Sequence, residues 1–131
     1  PGDEDSYATA LREAHEEVGL PPEKVRKLGC LPKYTTGTGF SITPVVGLVD
    51  PHFEPRLDAS EVAEIFEVPL SFLMTPAHHR RHEVDAFGRR RAFWSIHWHP
   101  TQQQGHEGYF IWGATAAMLR NLYRFFATAA P

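Results

Sequence analysis

The sequence predicts an α+β fold, or a sandwich of helices around a sheet (αβα). Helical periodicity marks both ends of the chain, at residues 3–20 and 114–127, and the stretch between them is a series of short β-forming runs cut by Gly and Pro. No internal repeat or linker divides the 131 residues, so 1–131 reads as one domain. At 42% hydrophobic and 22% charged residues, the composition is that of a globular chain able to bury its own core.

The first helix, 3–20, carries acidic residues in its opening turn, where the helix dipole favours them, and Asp5 or Ser6 is placed to cap it. Leu11, Ala14 and Val18 recur at helical spacing and should face the core. Gly19 ends the helix and Pro21-Pro22 forbid its continuation. Residues 25–34 read as a strand interrupted by Pro32, and 35–39 as a turn. Residues 40–49 read as a buried strand with an edge or bulge at Pro44. A Pro-rich loop follows, then a strand over 66–70 and a helical turn over 70–73. Residues 82–87 and 91–99 form a hairpin around Gly88, 109–112 a last strand, and 114–127 the second helix.

The formal charge of −3 argues against non-specific nucleic-acid binding, which shows a basic surplus. It does not argue against an anionic small molecule, because a bound divalent cation reverses the local field. No apolar run reaches the length of a membrane span, and no signal peptide is visible. A single cysteine, Cys30, rules out an internal disulfide and fits a reducing compartment, so a cytoplasmic location is expected. Cys30 itself reads as a small buried hydrophobe. The chain opens on Pro1 without a methionine, which is expected of a processed or partial product.

The most informative segment is Leu11-Arg12-Glu13-Ala14-His15-Glu16-Glu17-Val18-Gly19-Leu20. Glu13, Glu16 and Glu17 stand at i, i+3 and i+4, which puts three carboxylates on one helix face. Their mutual repulsion costs a bare helix a few tenths of a kcal/mol per pair, roughly, and a divalent cation offsets it. Hard oxygen ligands of this kind suit Mg²⁺ or Mn²⁺. Acidic helix faces usually mean only solvation; here the wider pattern decides.

That segment resembles the Nudix box. Glu4 stands ahead of Arg12-Glu13 at the interval the box requires, and Glu16-Glu17, Gly19 and Leu20 fall in place; Ala14 departs, being smaller than the usual Ile, Leu or Val. The box's leading glycine would precede Pro1. The resemblance implies a Nudix-type αβα sandwich with a mixed sheet, here lacking its N-terminal strands, and a metal-dependent pyrophosphohydrolase. It implies Glu13, Glu16 and Glu17 as metal ligands and as the catalytic carboxylates, Arg12 as their brace, and Glu4 as an auxiliary group. Glu61, Glu64 and Glu107 are candidate further ligands or bases.

Beyond the box the chain resembles the bacterial coenzyme A pyrophosphatase group. The likeness rests on the alanine at Ala14, on residues 39–47, on Glu61-Val62, on Phe66-Glu67-Val68-Pro69-Leu70, and on residues 109–116. It implies coenzyme A or its derivatives as substrate, with 4′-phosphopantetheine and adenosine 3′,5′-bisphosphate as products. The group's coenzyme A recognition motif lies upstream of the box and is absent from this chain. ADP-ribose or another nucleoside diphosphate derivative is the alternative substrate, and a non-catalytic binding module the alternative class. A homodimer is expected, because missing first strands leave sheet edges to cover.

Other clusters read more plainly. Arg80, Arg81, Arg89, Arg90 and Arg91 are expected to be a solvated hairpin face, with a patch for the substrate's 3′-phosphate as the alternative. His78, His79, His82, His97 and His99 lack the tight ligand set of a zinc site. Trp94, Trp98 and Trp112 are expected to pack rather than to stack on adenine.

Overall fold

The computed structural model describes residues 3–62, 64–100 and 108–129, with the side chains of residues 3 and 4 outside that description. The chain divides into two compact units, Pro1–Glu67 and Val68–Pro131. Every strand ladder among the described residues is antiparallel, and helices flank the series, so the class is α+β. No helix of the described residues is long and apolar enough to cross a membrane.

The first unit opens with α1, Asp3–Val18. It starts ahead of Asp5 and Ser6, so these lie within its first turn and neither occupies the N-cap position. Leu11, Ala14 and Val18 are half-buried along it. Its end is closed by the Gly19 and Leu20 amides, which donate to the carbonyls of His15 (3.1 Å) and Ala14 (3.3 Å). Gly19 sits at φ +76, the left-handed conformation that glycine adopts without penalty.

β1, Val25–Cys30, pairs with β4, Val45–Val49, from Val25 opposite Val49 to Cys30 opposite Val45. The register shifts between Lys27 and Gly29, which makes Leu28 the extra residue of a bulge and turns it out to solvent. Between them β2, Tyr34–Thr35, pairs with β3, Ser41–Ile42. The interruption expected at Pro32 divides 25–34 into two strands, and at Pro44, where an edge or bulge was expected, 40–49 is divided as well. Proline has no N–H for the ladder. The Leu31 amide, next to the first break, donates instead to the Pro44 carbonyl at 2.9 Å, and Leu31 is buried. The run 40–49 was expected to be buried; Phe40, Leu48 and Val49 are exposed. Tyr7 of α1 donates to the Val25 carbonyl at 3.5 Å, and Lys27 lies over the Tyr7 ring.

The expected strand over 66–70 does not form. Residues 64–69 carry no regular structure, and no ladder of the described residues reaches them. A strand is stabilised by its neighbours, and β-forming composition alone does not supply one.

In the second unit, α2, Leu70–Leu73, is the expected helical turn. β5, His79–Ala86, and β6, Arg89–Trp98, form a hairpin in which Ala86 faces Arg89. Both connecting residues have positive φ, Phe87 at 54 and Gly88 at 71, the geometry that matches a tight hairpin's twist. β7, Tyr109–Trp112, adds to β6, and α3, Gly113–Ala129, follows directly.

Strand alternation divides this sheet's side chains. His79, Trp94 and Ile96 face α3. Arg120 lies over the Trp94 ring at 4.0 Å and donates to His79 Nδ1 at 3.2 Å, while Tyr123 meets the His79 ring edge-on. His79 Nε2 donates in turn to the Leu73 carbonyl at 2.7 Å, which ties α2 to the same core. Ile96 is fully buried, as is Ala116; alanines at Ala116 and Ala117 let the helix backbone approach the sheet. Replacing Ile96 by Ala should lower unfolding stability by about 2–5 kcal/mol, read as a drop in the midpoint of urea unfolding at constant slope.

Candidate metal centre

The site is built from the end of α1 and the loop that leaves β4. An α-helix ends with carbonyls that lack helical partners. Here the loop supplies donors: the Arg56 amide donates to the Val18 carbonyl and the Asp58 amide to the Glu17 carbonyl, both at 2.8 Å. Gly19 makes this approach possible. A Cβ at Gly19 would stand 3.1 Å from both the Cβ and the backbone nitrogen of Arg56. The same glycine therefore both turns the chain and gives the loop room to dock.

Asp58 then shapes the loop. Its carboxylate accepts from the Ser60 hydroxyl at 2.6 Å and the Ser60 amide at 3.1 Å, while its carbonyl accepts from the Glu61 and Val62 amides. The Ser60 hydrogen bonds hold the Asp58 carboxyl below its ordinary pKa. Upstream, Asp50 accepts from the backbone and ring of His52, which lower its pKa in the same way, and the Asp50 amide donates to the Lys24 carbonyl.

The result is that Glu61 meets the helix. Glu13, Glu17 and Glu61 each bring a carboxylate oxygen within 4.8 Å of the others, and no other such trio of His, Cys, Asp or Glu occurs among the described residues. Partial burial raises the Glu17 pKa first, followed by its hydrogen bond to Glu61 and then by the charges of Glu61 and Glu13. Hard oxygens at this separation, repelling one another, are a donor set for a divalent cation.

Glu16 stands apart. Its carboxylate pairs with Arg12 at 3.5 Å, and Arg12 also lies 3.4 Å from Glu13. Arg12 thus sits between two carboxylates of the helix face. Glu4 lies in the first turn of α1, its side chain outside the described residues, and Glu107 falls outside them altogether. Glu64 lies beyond the trio on the same loop, lining a hollow of about 840 Å³ with Phe53, Leu57, Ile65 and Phe66. The spacing of Glu13 and Glu17 was legible on the helix. Glu61 ranked no higher than Glu64 or Glu107 by sequence, since nothing local to it reports the docking of Arg56 and Asp58.

The model of the NUDIX domain matches residues 1–106. The chain belongs to the Nudix family. Similar Nudix proteins include one from Enterobacter sp. (strain 638), 39% identical over 115 residues, and one from Citrobacter koseri, 41% identical over 115 residues. A third, from Salmonella newport, is 40% identical over the same length. Each is named an uncharacterized Nudix hydrolase NudL, and each alignment covers 88% of this chain and 56% of the relative. The chain spans about half the length of the curated relatives it matches.

Two outcomes follow from the geometry. Gly19→Ala should cost roughly 1 kcal/mol or more, from positive φ alone, and should also weaken Mn²⁺ binding, because the loop carrying Glu61 is pushed off α1; calorimetric titration with Mn²⁺ measures the second effect. The pH dependence has a definite sign. A carboxyl whose folded pKa is raised contributes stability below its unfolded pKa and loses it as pH rises through the folded value. Glu17→Gln should therefore raise the melting temperature of the metal-free protein at about pH 7 and leave it nearly unchanged at about pH 4.

Proposed function

We propose that this Nudix chain is a single catalytic domain that hydrolyses the pyrophosphate bond of coenzyme A or its derivatives, with Mg²⁺ or Mn²⁺ as cofactor. The observation that carries the reading is the meeting of Glu61 with Glu13 and Glu17 on the Nudix-box helix, where a divalent cation would relieve the repulsion among three carboxylates. Glu13, Glu17 and Glu61 would hold the ion, and Glu16 would join them by giving up Arg12. When bound, the ion would supply Lewis acidity toward the pyrophosphate oxygens and toward water.

The chain's own groups supply the rest. Arg12 neutralises part of the negative charge on Glu13 and Glu16 and fixes their positions. Glu17, whose pKa is raised by partial burial and by Glu61 and Glu13, would in its ionised form accept the proton of the attacking water. The water oxygen bonds to one phosphorus and the bridging P–O bond breaks. The products are 4′-phosphopantetheine and adenosine 3′,5′-bisphosphate.

Support for coenzyme A over other nucleoside diphosphate derivatives comes from the stretches 39–47, 66–70 and 109–116, which resemble the coenzyme A pyrophosphatase group. The hollow lined by Phe53, Leu57, Ile65 and Phe66 would suit the uncharged arm of such a substrate. The same reading includes a homodimer in the cytoplasm.

Incubation with coenzyme A or ADP-ribose and Mg²⁺ or Mn²⁺, with products resolved chromatographically, tests the assignment. Coenzyme A should yield the two named products. Cleavage of ADP-ribose alone would move the assignment to nucleoside diphosphate sugars, and metal binding without cleavage of either would leave a binding module. Glu17→Gln should lower kcat by about a hundredfold or more; retention of full activity would contradict the role given to this carboxylate.

A further inference from the structure

The face of the second unit's sheet turned away from α3 carries a different chemistry. Alternation from Arg80 and His82 on β5 places them beside Ser95 and Phe93 on β6, since Arg80 pairs with Ser95 and His82 with Phe93. His97 pairs with Phe110, and Ser95 with Trp112. Arg80, His82, Ser95, His97 and Phe110, with His78 from the turn before β5, line a pocket of about 320 Å³. Trp112 lies on the same face outside the pocket lining.

Among the described residues the pocket's polar lining is donor-capable: one guanidinium, three imidazoles and one hydroxyl. Its side chains are held in place. His78 Nδ1 donates to the Phe72 carbonyl at 2.9 Å, and its ring stacks on Phe72 at 3.7 Å. His82 Nε2 lies 2.7 Å from the Ser95 hydroxyl, which is almost wholly buried, and its ring stacks on Phe93. Gly108, at φ +88, lies so close to His97 that a Cβ there would stand 2.9 Å from the ring Nε2.

A metal ion is the wrong occupant, because three of these ring nitrogens do not converge within bonding range of one another. Three of the hairpin's other arginines are engaged elsewhere. Arg81 and Arg90 both pair with Glu83, and Arg91 lies over the Phe87 ring. Among the described residues no carboxylate pairs with Arg80. Phe110 closes one side of the pocket with an aromatic surface that is 55% exposed, and Trp112 on the same sheet face is 62% exposed.

We propose that this pocket binds a phosphomonoester, with Arg80, His82 and His97 contacting the phosphoryl oxygens and Phe110 offering a wall to the group that carries it. The arrangement follows the pairing of planar cations and imidazoles with tetrahedral dianions. The site lies wholly within the second unit and does not depend on the metal reading, so it is tested with divalent cations removed by EDTA.

The experiment titrates the full chain with inorganic phosphate, AMP and adenosine 3′,5′-bisphosphate, with ribose as an uncharged control, by calorimetry and by the NMR signals of the histidine rings. Saturable shifts of the His82 and His97 ring signals with phosphate and not with ribose are expected. Tighter binding of the nucleotides than of phosphate is expected, since Phe110 would contact the carrier; equal affinity would overturn the phosphomonoester assignment. Arg80→Gln and His97→Gln should each weaken binding by about tenfold or more. Arg89→Gln, on the same hairpin outside the pocket, should leave it unchanged. Absence of saturable shifts, or equal losses from Arg80→Gln and Arg89→Gln, would overturn the proposal, the second by showing only diffuse attraction to a basic hairpin.

Discussion

Two backbone hydrogen bonds at the end of α1 organise the first unit. The Val18 and Glu17 carbonyls have no helical partner, and the amides of Arg56 and Asp58 take them. A buried or half-buried carbonyl without a partner costs more than a made hydrogen bond returns, so the loop has reason to dock there and nowhere else on the helix. Docking needs the absence of a side chain at Gly19. The Asp58 turn then carries Glu61 to Glu17. A backbone requirement at one helix end is thereby converted into a constellation of carboxylates.

That constellation is electrostatically adverse when bare. Glu17 answers by holding its proton more tightly, under partial burial and the presence of Glu61 and Glu13. Glu13 and Glu16 answer through Arg12. Both responses are partial, because the groups remain exposed enough for water to screen them. A divalent cation would relieve what is left, which makes the trio a candidate metal centre on its own charges as well as on the motif.

The second unit separates its chemistry by the pleat of a sheet. One face buries Ile96 and the Trp94–Arg120–His79 network under α3. The other gathers His82, Ser95 and His97 into a polar pocket. Histidines close in sequence, His78, His79 and His82, thus end in different surroundings. His79 is a core residue tied to Leu73 and Arg120, while its neighbours line the pocket.

The sequence by itself determined the helix of α1, its termination at Gly19, the shared face of Glu13 and Glu17, the hairpin around Gly88 and the terminal helix. These follow from local rules: period 3.6, backbone freedom at glycine, alternation of two. It also placed the chain near the Nudix family, through residues whose spacing is itself local. Tertiary structure alone decided the partners. The interruption legible at Pro32 and the irregularity legible at Pro44 became divisions between separately paired strands, because a ladder, unlike a propensity, needs a partner for each segment. Residues 66–69 formed no strand, since pairing is decided by distant segments. Glu61 reached the site because the Arg56 and Asp58 amides met α1's last carbonyls. Glu16 turned to Arg12 while Glu17, one residue on, turned to Glu61. Neighbours on one helix face share a spacing, but only the packed chain decides which charge each one meets.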